Sequence, residues 1–263
     1  MPTISQSISA ARQSGIALIP FVPAGYPDLA TTTAVIREMD AAGAAAIEVG
    51  FPFSDPIADG PVIQQAFTAA LARKVHVADI LASIGSLRGK ISAPLVGMLS
   101  YSIVFRYGRE KFCADAKSAG FSGLILPDLT PPDADSVCKM VRDAGLDTIL
   151  LIAPTTAPER RKQIARLSSG FVYYLSVTGI TGARDVLPPD IGQNVQQIKQ
   201  LTDCPVCVGF GISQRQHMID LSRVADGAIV GSAIVKRMIE HAGDGPETIA
   251  NSVGQFCREL LGK

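Results

Sequence analysis

Apolar and polar positions alternate in two registers along the chain. Short apolar runs recur at residues 17–22, 46–51, 94–99, 123–126, 148–152, 171–175, 205–210 and 228–230, each bounded nearby by Gly, Pro or Asp. Most are apolar on both parities, the pattern of parallel strands covered on both faces. Longer amphipathic stretches lie between them, at 29–42, 104–119, 134–144, 159–167 and 195–201, and predict helices. The junctions Ala42-Gly43, Ala119-Gly120 and Ala144-Gly145 each end a helix a few residues before a strand. Eight strands over this length leave roughly 33 residues per unit, enough for a strand and its crossover helix. The polar first fifteen residues read as one extra N-terminal helix. No linker or low-complexity tract divides the chain, so a single domain over residues 1–263 is expected. The pattern predicts an α/β fold, a (β/α)8 TIM barrel with an extra N-terminal helix. An open doubly wound sheet is the alternative, and the lack of G-x-G-x-x-G in the first strand–helix turn weighs against it.

Composition narrows the function. The 263 residues are 47% hydrophobic and 18% charged, which excludes intrinsic disorder. Lys and Arg number 24 and so do Asp and Glu; without a basic run there is no field to gather nucleic acid or an anionic membrane. The charge-free stretch 91–105 is interrupted by Pro94, Gly97 and several serines, and is too short to span a bilayer. No signal-peptide core opens the chain. Five scattered cysteines form no disulfide framework, so a cytoplasmic location is expected. Cys204 and Cys207 stand in CxxC spacing without a second pair, and read as structural thiols. His76, His217 and His241 lack a second ligand at metal spacing; they read as solvated surface histidines, and no metal is expected.

In a barrel of this kind chemistry collects at the C-terminal strand ends. Glu48 lies inside the second apolar run, facing opposite to Ile47 and Val49. If those two pack under helices, Glu48 points into the barrel mouth, where burial would raise its pKa and suit it to proton transfer. An internal ion pair is the alternative. The next loop, 52–61, carries three prolines with Asp55 and Asp59. Asp55 suits a turn or cap, and Asp59 suits either a site carboxylate or a cap for a helix starting near Val62. Glycine turns at Gly209–Gly211 and at Gly231-Ser232 follow the last two strands, where this fold often holds phosphate; tight turns alone are the alternative. The long loop 178–189 carries Gly179 and Gly182 and has the make-up of a lid or of a plain surface loop. There is no Gly-x-Ser-x-Gly elbow and no lysine at a strand end for Schiff-base chemistry.

These residues carry a resemblance. LIPFVPAGYP at 18–27, EVGFPFSDPIADGPVIQ at 48–64, SVTGITG at 176–182, GFGI at 209–212 and GSAIV at 231–235 follow one another as in the tryptophan synthase alpha chain family, over essentially the whole chain. The long second motif is specific; the glycine turns alone are not. The resemblance implies a lyase that cleaves indole-3-glycerol phosphate to indole and glyceraldehyde 3-phosphate in L-tryptophan biosynthesis. It implies that Glu48 is the acid–base catalyst and Asp59 its partner at the indole nitrogen. Phe21, Leu99, Tyr101, Ile152 and Phe210 would line an apolar slot, with Tyr173 beside Glu48. Gly182, Gly211, Gly231 and Ser232 would hold phosphate, and Thr181 would lie on a lid over Asp59. It further implies no cofactor in this chain, and a beta-chain partner that carries pyridoxal phosphate in an alpha2-beta2 heterotetramer. The stretch 126–132 is a residue longer than the family's form after the fourth strand. Another barrel enzyme acting on a phosphorylated substrate, or an inactive allosteric subunit, are the competing readings; the intact Glu48 and Asp59 motif weighs against both.

Overall fold

The computed structural model describes residues 2–55, 59–129, 131–176, 190–209 and 211–263. Eight parallel strands close into a barrel: β1 (Ala17–Pro23), β2 (Ile47–Gly50), β3 (Leu95–Met98), β4 (Phe121–Ile125), β5 (Asp147–Ile152), β6 (Val172–Leu175), β7 (Val206–Gly209) and β8 (Gly227–Val230). The circle is completed by β1 against β8, with Ala17 opposite Gly227 and Pro20 opposite Val230. This settles the choice between barrel and open sheet. Twelve helices occur among the described residues: α1 (Ile4–Arg12), α2 (Leu29–Ala42), α3 (Pro61–Ala72), α4 (Val77–Gly85), α5 (Tyr101–Tyr107), α6 (Arg109–Ala119), α7 (Pro131–Asp143), α8 (Pro158–Leu167), α9 (Ile191–Lys199), α10 (Arg215–Leu221), α11 (Ser232–Glu240) and α12 (Pro246–Leu261). Every predicted strand is present. One predicted helix, 104–119, is two: Gly108 takes a φ of 97° and ψ of 112°, which ends α5 and starts α6 in a new direction.

Strand alternation sorts side chains into two apolar layers. Ile47, Val49, Leu150, Ile152, Val172 and Val208 face the helices. Ala17, Ile19, Val96, Ile125, Ile149, Phe171, Cys207 and Ile229 fill the barrel interior. The extra N-terminal helix belongs to the interior layer. Thr3 caps α1 through a reciprocal pair with Gln6, and Ile4 and Ile8, both fully buried, seat its inner face across the N-terminal end of the barrel. Gly123 makes room for that plug: a Cβ there would lie 2.8 Å from Ile4 Cδ1. At the other end of the chain, α12 lies along α2 and buries Ile249, Val253, Phe256 and Leu260 at helical spacing. With one end plugged, the C-terminal mouth is left for chemistry.

Candidate active site

Glu48 is placed by β2. Its neighbours Ile47 and Val49 pack under the helices, so Glu48 faces the interior beside Phe21 of β1, its register partner. It is 1% exposed, and its Oε2 has no hydrogen-bond partner among the described residues. Burial, and then the negative charge of Asp59, push its pKa up to about 8. Among the described residues no cation pairs with this buried carboxyl, which is held as the neutral acid, and the internal ion pair is not formed there.

Asp59 lies just before α3. The helix starts with Gly60 as N-cap and Pro61 at its first position, so Asp59 is not the cap. Its main-chain carbonyl accepts the Gln64 side-chain amide at 2.7 Å, which braces the end of the loop against the first turns of α3. The carboxyl group is left half-buried, and burial raises its pKa to about 6. Asp55, by contrast, is exposed and accepts a hydrogen bond from Ser54 Oγ at 3.2 Å.

Tyr173 of β6 completes this polar cluster. Burial, Glu48, Asp59 and Cys207 all act to raise its pKa well above the usual phenol value, so it stays protonated. The ring lies over Gly209 of β7, where a Cβ would fall 2.5 Å from Cε2 and 2.7 Å from the hydroxyl oxygen. The glycine is thus a close-approach position. Phe21 is similarly seated on Gly50 and meets Phe67 edge-on at 6.4 Å.

The remaining expected residues distribute around the same end. Leu99 follows β3 and is buried, and Tyr101 opens α5, half-buried, with Phe105 at 6.5 Å. Ile152 ends β5 and is fully buried in the layer between barrel and helices. Gly231 is the N-cap of α11 and Ser232 its first residue. A Cβ at Gly231 would meet Ile63 Cδ1 at 3.8 Å and Phe21 at 3.9 Å, ordinary contact distances, so this position has room for a methyl group. Gly211 follows β7 by one residue. Thr181 and Gly182, with the rest of loop 178–189, and Phe210 lie outside the described residues.

Two features of the sequence reading change. His217 is 3% exposed inside α10, not a solvated surface residue; its Nδ1 accepts the Ser213 N–H at 3.4 Å. Met218 and Leu221 of the same short helix are buried with it, and Arg215, Gln216 and Asp220 around them hide that face in the sequence. Asp128, which ties two loops at the mouth, is missed by sequence reasoning, although its place just after β4 is where this fold puts function. The CxxC thiols are free. Cys207 is fully buried in the interior, and Cys204 Sγ is near the Ser168 and Ser169 carbonyls at 3.5 and 3.4 Å. A separate cavity of about 660 Å³ lies at the opposite face, beside Pro2, Arg88, Lys117 and Asp147, away from the carboxylates.

Fold and site together describe a (β/α)8 barrel with a buried acid and a second carboxylate at its catalytic mouth. Residues 8–262 match the family profile described as tryptophan synthase alpha chain. A relative of that name from Prochlorococcus marinus is 45% identical over 260 residues, covering 98% of this chain and 94% of its own. One from Synechocystis is 44% identical over 262 residues, covering 99% and 98%. Mycobacterium tuberculosis tryptophan synthase superposes with a TM-score of 0.89 at 35% identity, covering 98% of this chain and 96% of that one. The alpha-subunit from Pyrococcus furiosus gives 0.86 at 35%, covering 94% and 98%. The chain belongs to the tryptophan synthase alpha chain family.

Proposed function

We propose that this chain cleaves indole-3-glycerol phosphate to indole and glyceraldehyde 3-phosphate, the lyase step of L-tryptophan biosynthesis, with Glu48 and Asp59 as the catalytic pair. The observation that carries the assignment of roles is the separation of the two carboxyl groups. With Glu48 near 8 and Asp59 near 6, neutral pH finds Glu48 protonated and Asp59 ionised. The reaction needs that division. Indole C3 is a poor leaving group until it takes a proton, and the neutral Glu48 acid supplies one. The ring nitrogen then carries positive charge, which the Asp59 carboxylate stabilises while accepting its N–H. As the C–C bond breaks, the adjacent hydroxyl becomes the aldehyde, and its proton returns to the Glu48 carboxylate. No net proton is consumed.

Phe21, Leu99, Tyr101 and Phe210 are the proposed contacts of the indole ring, with Ile152, which faces the helices, buried behind the slot, and Tyr173 is a neutral donor beside Glu48. Gly211, Gly231 and Ser232, with Gly182, are the proposed phosphate contacts; support comes from the glycine N-cap of α11 at Gly231, where first-turn N–H groups and the helix dipole favour an anion. Thr181 is proposed to cover Asp59 from the loop above. The chemistry assigned to this chain uses side chains alone. A beta chain that holds pyridoxal phosphate and takes up the indole is the proposed partner, in an alpha2-beta2 assembly.

The test is Glu48→Gln in the full chain. The amide has the same shape but cannot cycle a proton, so indole release should fall by ~10²–10⁴ while the fold is kept. Turnover close to that of the wild type would refute the assignment.

A further inference from the structure

The loop after β4 holds a side chain that the reaction above leaves unused. Asp128 reaches from that loop to the neighbouring unit. Its Oδ1 accepts the backbone N–H of Tyr101 at 2.7 Å, and its Oδ2 accepts the Ser100 hydroxyl at 2.6 Å. Ser100 is itself the N-cap of α5, its Oγ accepting the Ser102 N–H at 3.1 Å. The first turn of α5 is therefore capped from within by a serine and from outside by a carboxylate.

α5 is anchored along its body by buried Val104 and by Tyr107, which meets Phe112 of α6 edge-on and bonds Asp115, and the double cap is what fixes its start. The helix is seven residues long, too short to be stable by itself. Gly108 uncouples it from the axis of α6, and Phe105 on its surface is 65% exposed. Leu99 and Ser100 are the only residues between β3 and α5. Holding Ser100 and the Tyr101 N–H thus also sets Leu99, whose own N–H bonds the Ile125 carbonyl at the end of β4 at 3.1 Å.

We infer that Asp128 is a positioning residue for the apolar slot, which it preforms by pinning the Leu99–Tyr101 turn to the β4–α7 loop without touching the ligand. The inference rests on the proposed function, in which Leu99 and Tyr101 face the indole ring. The charge-assisted geometry suits such a role, since two donors converge on one exposed carboxylate and neither bond requires burying the charge. The effect is confined to one side of the mouth. In the closed strand order, β3 and β4 lie across the barrel from β7 and β8, whose glycine turns are assigned to phosphate. Loss of Asp128 loosens the indole end and leaves the phosphate end as it was.

The experiment compares Asp128→Ala and Asp128→Asn with wild type, all as the full chain. Indole and glycerol 3-phosphate binding are measured separately by calorimetry, together with kcat and KM for cleavage. In Asp128→Ala the Kd for indole and the KM should rise roughly 5–10-fold, the scale of one charge-assisted hydrogen bond, with kcat and glycerol 3-phosphate affinity within about twofold. Asp128→Asn keeps an acceptor for Tyr101 and should recover most of the loss. Ser100→Ala, which removes one bond to Asp128 together with the serine cap of α5, should move indole affinity the same way by a comparable factor. Unchanged indole affinity in folded Asp128→Ala overturns the role. So do equal losses for both probes, or an Asn variant no better than Ala. A wild-type chain that binds glycerol 3-phosphate but neither binds nor releases indole overturns the functional reading, and this role with it.

Discussion

Glu48 is a carboxyl group that the fold keeps from water with no cation paired to it among the described residues, and this has a cost that depends on pH. Its folded value of about 8 stands above the ordinary 4.5, so between those limits the folded chain holds a proton that the unfolded chain has released. The stability associated with neutral Glu48 is complete below about pH 4.5 and is lost as pH rises through about 8. Glu48→Gln is neutral throughout and escapes the loss. Its stability relative to wild type should therefore increase from pH 5 to pH 8.5, by at most about 5 kcal/mol. Denaturant titrations of both proteins at the two pH values check this; a gap that is flat or narrows with pH would contradict it. Glu48 was legible in the sequence because a lone carboxylate between Ile47 and Val49 can face only one way. Asp59 was not, since a cap and a site residue look alike until the start of α3 is known to be Gly60-Pro61. His217 was misread because the polar residues around it, Arg215, Gln216 and Asp220, mask the single buried face of a short helix.

At the scale of elements, the units are joined by a repeated device at the N-terminal face. A cation near the end of one helical segment bonds a carbonyl at the end of the next. Arg88 Nη1 reaches the Ser118 carbonyl at 2.8 Å, Lys117 Nζ that of Gly145 at 2.6 Å, and Arg142 Nη1 that of Leu167 at 3.0 Å. Each bonds a carbonyl at or just past a helix C-terminus, that of Leu167 shared with the Thr148 hydroxyl at 2.6 Å, and places positive charge at the negative end of the dipole. Arg142→Ala should cost about 1 kcal/mol, a fall of roughly 2–4 °C in melting temperature for a chain of this size, with no change in lyase activity. Calorimetry and a turnover assay together check it; lost activity with unchanged stability would contradict it. At the mouth, α11 begins at a glycine where a methyl group meets its neighbours only at ordinary contact distance, 3.8 Å from Ile63 Cδ1. Gly231→Ala should keep the fold yet weaken glycerol 3-phosphate binding about tenfold, because the new methyl group intrudes where the anion meets backbone donors. Unaltered affinity in the folded variant would remove phosphate from this turn. The strands were legible throughout, since burial on both faces leaves nearly continuous apolar runs. The helix pair α5–α6 was not, because Val104 and Phe112 continue an apolar stripe across Gly108, and only the glycine's left-handed φ reveals the break.

The whole molecule is a barrel closed by β1 against β8, plugged at one end by α1, with its buried carboxylate near the other. Repeat length and the missing dinucleotide turn pointed to closure, but register cannot be read from a run of apolar residues, and it is the register that brings Phe21 level with Glu48. The same closure holds two carboxyl groups in unequal environments, one enclosed and one half-open, and that inequality is the central claim. Its most direct test is the pH dependence of kcat/KM for indole release from indole-3-glycerol phosphate, measured on the full chain between pH 5 and 9. The account predicts a bell: activity rises through about pH 6 as Asp59 ionises and falls through about pH 8 as Glu48 loses the proton that C3 must receive. Activity that keeps climbing above pH 8 would mean that Glu48 does not enter the reaction as an acid, and would contradict the account.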